Sequence, residues 1–315
     1  MKVEEIKRVA VIGAGLMGHG IAQEFALAGY DVRLHDVDGE RLRKAQANIR
    51  GNLEMLAGLG LVTNDKAGPA LRRIVDCAVL RDAVGEADVV IEAVFEDLKL
   101  KQETFRLLDE ACPPRTILAS NTSSLLPGLL ASVTRRPDRV LVAHYFNPPY
   151  LLPLVEIVRH EKTSEETVRT LYGLLRKIGK TPVIVQKEVP GFVGNRLQAA
   201  LFREALSIVQ SGIATAEDVD IVVKNGFGRR LAAAGVFEIW EIAGWDLISS
   251  ICENLFPTLD GSAEIPPLLK GMVERGELGT KTGKGFYEWS PQSILALKKR
   301  IAGVLSRIAQ ERIIS

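Results

Sequence analysis

Arg8-Val9-Ala10-Val11-Ile12-Gly13-Ala14-Gly15-Leu16-Met17-Gly18-His19-Gly20, running on to Leu34-His35-Asp36, decides the fold of this 315-residue chain. Val9 to Ile12 form the short apolar run of a buried parallel strand, and Gly13, Gly15 and Gly18 follow at the G-x-G-x-x-G spacing. Gly13 permits the sharp turn, Gly15 lets backbone approach a pyrophosphate, and Gly18 lets the next helix pack closely on the strand. That helix starts with unpaired N–H groups and a positive dipole end, which suit a dinucleotide phosphate, with Leu16 and Met17 in the turn beside it. A second strand, Asp31 to Leu34, leads to Asp36, 18 residues beyond Gly18, where a carboxylate accepts both ribose hydroxyls of an adenosine. Asp36 and Asp38 would repel a 2′-phosphate, so the pattern predicts NAD rather than NADP.

Working outward, residues 38–75 break the α/β rhythm with two helical stretches, about 39–57 and 64–73, read as a helical hairpin inserted after the second strand. Strands are expected at 88–94, 116–119, 139–144, 154–158 and 181–185, with helices near 98–111, 127–132 and 164–178 between them. The fold class is therefore α/β, a Rossmann-type dinucleotide-binding domain. Beyond Glu188-Val189-Pro190-Gly191 the strand runs disappear, and helices are expected at 192–211, 216–224, 236–254 and 266–275. The organisation is thus an NAD-binding domain over 1–187 and a mostly α-helical domain over 188–315. Ile294, Leu297, Ile301, Val304 and Ile308 form one apolar stripe on a terminal helix that should dock on its own subunit or on a partner.

Composition excludes several classes of function. A net charge of +1 gives no reason to expect nucleic acid or an anionic membrane surface as a partner. No apolar run is long enough to span a bilayer, and Met1-Lys2-Val3-Glu4-Glu5 lacks a signal-peptide core. Cys77, Cys112 and Cys252 are scattered without metal-ligand spacing, so no metal is expected and the thiols read as reduced and buried in a cytoplasmic protein.

Hydride transfer to a nicotinamide leaves a proton for the protein, so a base is needed, and the chain has four histidines. His19 sits beside the glycine turn, His35 precedes Asp36, and His160 falls among surface charges. His144 ends a buried strand at its carboxyl side, where ligands of open α/β sheets collect together with Glu96, Asn121 and Ser123. Glu156 lies 12 residues on, in the apolar strand Leu154-Val155-Glu156-Ile157-Val158, where a carboxylate is costly unless paired. If the strands pair around Asn147-Pro148-Pro149, Glu156 can face His144, fix its tautomer and raise its basicity.

Six motifs then carry a resemblance: Gly13 to Gly18, Glu92-Ala93-Val94-Phe95-Glu96, Ser120-Asn121-Thr122-Ser123-Ser124, His144-Tyr145-Phe146-Asn147-Pro148, Pro190-Gly191-Phe192-Val193-Gly194-Asn195, and Lys281-Thr282-Gly283-Lys284-Gly285-Phe286. By these the chain resembles the L-3-hydroxyacyl-CoA dehydrogenase family. The resemblance implies His144 as base, Glu156 as its partner, Ser123 and Asn195 bonded to the reacting oxygen, and Glu96 and Lys101 near the nicotinamide ribose. It also implies a homodimer. Where coenzyme-A-gripping members carry a serine and a lysine, this chain has Asn52 and Leu59. The Asn147 to Tyr150 and Arg230 segments are similar to L-gulonate 3-dehydrogenases, which oxidise a free β-hydroxy acid. Arg230 is then a candidate carboxylate clamp, or else one half of a surface ion pair. A dinucleotide-binding protein without turnover is the third reading.

Overall fold

The computed structural model describes residues 1–311, so residues 312–315, which end the expected helical domain, lie outside the described residues. Two compact units are present, Met1–Arg196 and Leu197–Ser315. The first is built on an eight-stranded sheet. Its strands are β1 (Arg8–Ile12), β2 (Asp31–His35), β3 (Ile74–Cys77), β4 (Val89–Glu92), β5 (Ile117–Ser120), β6 (Val140–Tyr145), β7 (Leu154–Val158) and β8 (Thr181–Val185). They lie in the order β3-β2-β1-β4-β5-β6-β7-β8. Neighbours run parallel except β6 and β7, so β7 and β8 are reversed relative to the rest.

Strand parity distributes the side chains between two helical layers. Val9 and Val11 of β1 face one core with Phe25, Leu53 and Leu171, contributed by α1 (Gly18–Leu27), α2 (Gly39–Gly58) and α7 (Glu165–Lys177). α3 (Asn64–Arg73) packs on the same side, against α1 and α2. Ala10 and Ile12 face the other core with Val84, Phe105 and Leu130, from α4 (Leu80–Val84), α5 (Leu98–Ala111) and α6 (Pro127–Ala131). The same parity puts Glu92 and Ser120, the last residues of β4 and β5, on the α5 face.

After β1 the chain moves outward to β2 and β3, then crosses back to β4 on the opposite side of β1. That reversal opens a crevice at the carboxyl ends of β1 and β4, which positions a ligand site there. α2 and α3 form the inserted hairpin where it was expected. β3 was not expected. Its four residues alternate poorly and sit at the sheet edge with Val75 and Asp76 exposed, so periodicity leaves little trace.

The second unit is helical: the later part of α8 (Gly194–Gln210), α9 (Ala216–Asn225), α10 (Phe227–Arg230), α11 (Val236–Ala243), α12 (Trp245–Leu255), α13 (Pro267–Glu274) and α14 (Pro291–Gln310). The single helix expected over 236–254 is two, because Gly244 adopts φ +87° and ends α11. Such a conformation cannot continue a right-handed helix. Of the terminal stripe, Ile301 and Val304 remain exposed on α14. Among the described residues, no helix is long and apolar enough to cross a membrane.

Candidate active site

A cavity of about 710 Å³ fills the crevice, lined among others by Gly13, Gly15, Leu16, Met17, Asp36, Glu96, Asn121 and Ser123. The three motif glycines divide their work as their spacing suggests. A Cβ on Gly13, at φ +102°, would lie 2.6 Å from the Ala93 carbonyl oxygen, and one on Gly18 would lie 1.7 Å from the Gly13 oxygen. Gly15 has open space, as a backbone meant to meet a pyrophosphate requires. Asp36 is held by two backbone donors: Ala14 N–H reaches Oδ2 at 3.0 Å and Asp38 N–H reaches Oδ1 at 3.0 Å. It stands at one end of the cavity, with Glu96, Asn121 and Ser123 at the other. Cradle, open turn and carboxylate together fit an adenine dinucleotide.

Two lining residues had no role assigned from the sequence, Arg41 and Phe95. Arg41 stands 3.8 Å from Asp36 and lies over the Phe95 ring at 5.0 Å. A lone arginine in a basic helix gives no signal of such a stack.

Glu96 organises the far end. Its Oε1 accepts bonds from the Thr122 hydroxyl, from Ser123 N–H at 3.1 Å, and from Ser124 through both N–H and hydroxyl. Burial acts to raise its pKa, yet the Thr122 hydroxyl and the Lys101 ammonium outweigh this and hold the carboxyl below its usual range. Lys101 is only 1% exposed and lies beneath Glu96, 3.5 Å from its Oε2. The closest partner of Lys101 is Glu92, at 2.6 Å, a residue the sequence reading quoted but assigned no role.

Antiparallel pairing of β6 and β7 sets His144 directly opposite Glu156, with both side chains on one face. His144 Nδ1 lies 2.8 Å from Glu156 Oε2. The second carboxylate oxygen, Oε1, accepts Val193 N–H at 3.0 Å and Gly194 N–H at 2.8 Å. Those donors are aimed by Phe192, whose φ of +51° is left-handed and costs about 1–2 kcal/mol for a residue with a Cβ. Its ring is buried 5.5 Å from the His144 ring, and this packing offsets the strain. Burial pushes the Glu156 pKa up, but the His144 bond and the two backbone donors bring it below the ordinary value. An ionised Glu156 can only accept, so the Nδ1 proton is on His144, and Nε2 is left with a free lone pair.

This pair is tied to the cavity wall. Tyr145 N–H donates to Asn121 Oδ1 at 2.9 Å, and Asn195 Nδ2 donates to the Ser123 carbonyl at 3.2 Å. The other histidines bond to backbone carbonyls: His19 to Gly15, His35 to Cys77 and His160 to Pro137. His160 is buried, not among surface charges as its neighbours suggested, because its ring tucks under the start of β6 beside Thr163. Arg230 ends α10 in the second unit, exposed, and among the described residues its guanidinium has no acidic partner. No group of metal-ligating side chains occurs among the described residues.

Comparison with known proteins adds an independent line. A family model described as 3-hydroxyacyl-CoA dehydrogenase, NAD binding domain, matches residues 8–189, and one described as 3-hydroxyacyl-CoA dehydrogenase, C-terminal domain, matches residues 191–289. A probable 3-hydroxybutyryl-CoA dehydrogenase of Bacillus subtilis is 41% identical over 290 residues, covering 92% of this chain and 99% of that protein. A 5-formyl-3-hydroxy-2-methylpyridine 4-carboxylate 5-dehydrogenase of Mesorhizobium japonicum is 34% identical over 309 residues, 98% of each. A crystal structure of an enzyme of that last kind, described as an NAD+ dependent dismutase, superposes with a TM-score of 0.91 at 33% identity, covering 98% of both chains.

Proposed function

Because this chain belongs to the 3-hydroxyacyl-CoA dehydrogenase family and is an NAD-dependent oxidoreductase, we propose that it oxidises the 3-hydroxyl of an L-3-hydroxyacyl-CoA to the 3-ketone. Bound NAD supplies the hydride acceptor. His144 takes the hydroxyl proton on Nε2, and Glu156 stabilises the imidazolium that forms while keeping the ring in the productive tautomer. Ser123 and Asn195 hold the reacting oxygen, and Asn121 and Glu96 keep their loop in place. The observation that carries this reading is the doubly anchored Glu156, since a histidine with only a structural role does not need an ionised, fully bonded carboxylate behind it.

A second reading keeps the chemistry and gives the substrate a free carboxylate. The full-length similarity to a dehydrogenase named for a pyridine carboxylate favours it, as do Asn52 on α2, Leu59 just past its end, and Arg230, which has no acidic partner among the described residues. Steady-state rates on 3-hydroxybutyryl-CoA against 3-hydroxybutyrate and L-gulonate separate the two. We expect kcat/KM at least about tenfold higher for the thioester, a difference of about 1.4 kcal/mol in transition-state binding. The reverse preference, abolished in Arg230→Ala, would replace the first reading with the second, and NADH binding without oxidation of any of them would leave a silent binding protein.

The working form is a homodimer assembled through the second unit. Phe237 is 78% and Ile242 87% exposed, and Trp240, Trp245 and Phe256 are also open, a density of large apolar groups that monomers avoid. Light scattering after gel filtration should give twice the 34.4 kDa chain mass, and a monomer at micromolar concentration would reject this assembly.

A further inference from the structure

Glu92 ends β4 with no exposed surface, and both its oxygens are occupied. Oε1 accepts the Lys101 ammonium at 2.6 Å and Val94 N–H at 2.7 Å, while Oε2 accepts the Ser120 hydroxyl at 2.5 Å. Lys101 in turn faces Glu96 at the longer distance of 3.5 Å. One ammonium therefore stands between two carboxylates and is committed mainly to the buried one. Glu96, the member that lines the cavity, is left with the longer contact to that ammonium and with the neutral donors of Thr122, Ser123 and Ser124.

The end of the cavity at which this charge sits matters. Asp36 marks the adenosine end and the glycine turn the pyrophosphate, so Glu96, Asn121 and Ser123 surround the place left for the nicotinamide. The two redox forms of the cofactor differ there by one unit of charge, the oxidised ring being cationic and the reduced ring neutral. We infer that Glu92, by engaging Lys101, is a positioning residue that leaves the Glu96 charge turned toward the cavity and so biases the site toward the oxidised dinucleotide. The inference rests on the NAD reading and is independent of which hydroxy acid is the substrate.

Glu92→Gln tests it with little change of shape. The glutamine oxygen still accepts from Lys101 and Val94, and its amide donates to Ser120, whose hydroxyl becomes the acceptor. Lys101 is then neutralised by Glu96 alone. Titration of NAD+ by calorimetry and of NADH by fluorescence should show the ratio of their dissociation constants, NAD+ over NADH, rising by about threefold to tenfold. A role confined to packing would weaken both forms alike and leave that ratio where it was. Glu92→Asp, which keeps the charge, should hold the ratio within about twofold of the parent even if both affinities fall. Lys101→Gln removes the opposite charge and should move the ratio the other way. An unmoved ratio in Glu92→Gln overturns the inference, as does an unmoved ratio in Lys101→Gln if the first variant does not fold. Failure of the parent protein to bind either dinucleotide would instead remove the cofactor reading itself.

Discussion

His144→Gln is expected to lower kcat about a thousandfold while leaving NADH affinity within about twofold. Glutamine matches the reach of imidazole and can still donate to Glu156, so the β6–β7 pairing and the packing of Phe146 and Phe192 around the site are retained. An amide nitrogen has no lone pair for a proton at neutral pH, so only the proton acceptor is lost. Because the base acts in the chemical step, the loss should appear in kcat and in kcat/KM alike. Stopped-flow measurement of NADH formation in a single turnover isolates that step from product release. A variant that keeps kcat within tenfold of the parent would remove His144 from the role of base.

Glu156→Gln should have the second largest effect, on both rate and stability. Three donors converge on this carboxylate, and an amide offers one oxygen to meet them while turning N–H groups against the rest. If the amide oxygen stays with Val193 and Gly194, its N–H groups face His144 Nδ1, which must then accept and pass its proton to Nε2. The ring is held in the tautomer that cannot act as a base, and kcat should fall about a hundredfold. Leaving buried donors badly matched should cost about 2–3 kcal/mol. The folded-state pKa of Glu156 is depressed, so its contribution is fully present above the unfolded value of about 4.3 and is lost as pH falls through the lower folded value. Urea unfolding from pH 7 to pH 3 should therefore show parent and variant well separated at neutral pH and converging under acid. A separation undiminished at pH 3 would mean that the carboxylate charge is not what stabilises this region.

Much of the first unit is legible along the chain because its signals are local. Apolar runs of four or five residues and helical spacing are written into consecutive positions, so β1, α5, β7, α7 and β8 fall where the pattern puts them. Elements that rely on neighbours are less visible. β3 is a strand because β2 offers it an edge, and Gly244 divides a continuous helical pattern by a dihedral angle that periodicity does not encode. His160 is misread for a related reason: local charge density says nothing about which ring a distant loop covers.

The sequence alone marked the glycine turn, Asp36 and Glu156 as a candidate partner for His144, since each stands out by residue type at a fixed separation. Register did the rest for His144 and Glu156, because a reversed strand after a short turn has few ways to align. What only the tertiary structure decided is which groups meet the carboxylates Glu92, Glu96 and Glu156. The second oxygen of Glu156 is met by backbone N–H groups 37 and 38 residues away, and Lys101 is buried between Glu92 and Glu96. Electrostatic environment depends on distance and burial in three dimensions, which residue order leaves open until the β4, β5 and α5 segments are packed together.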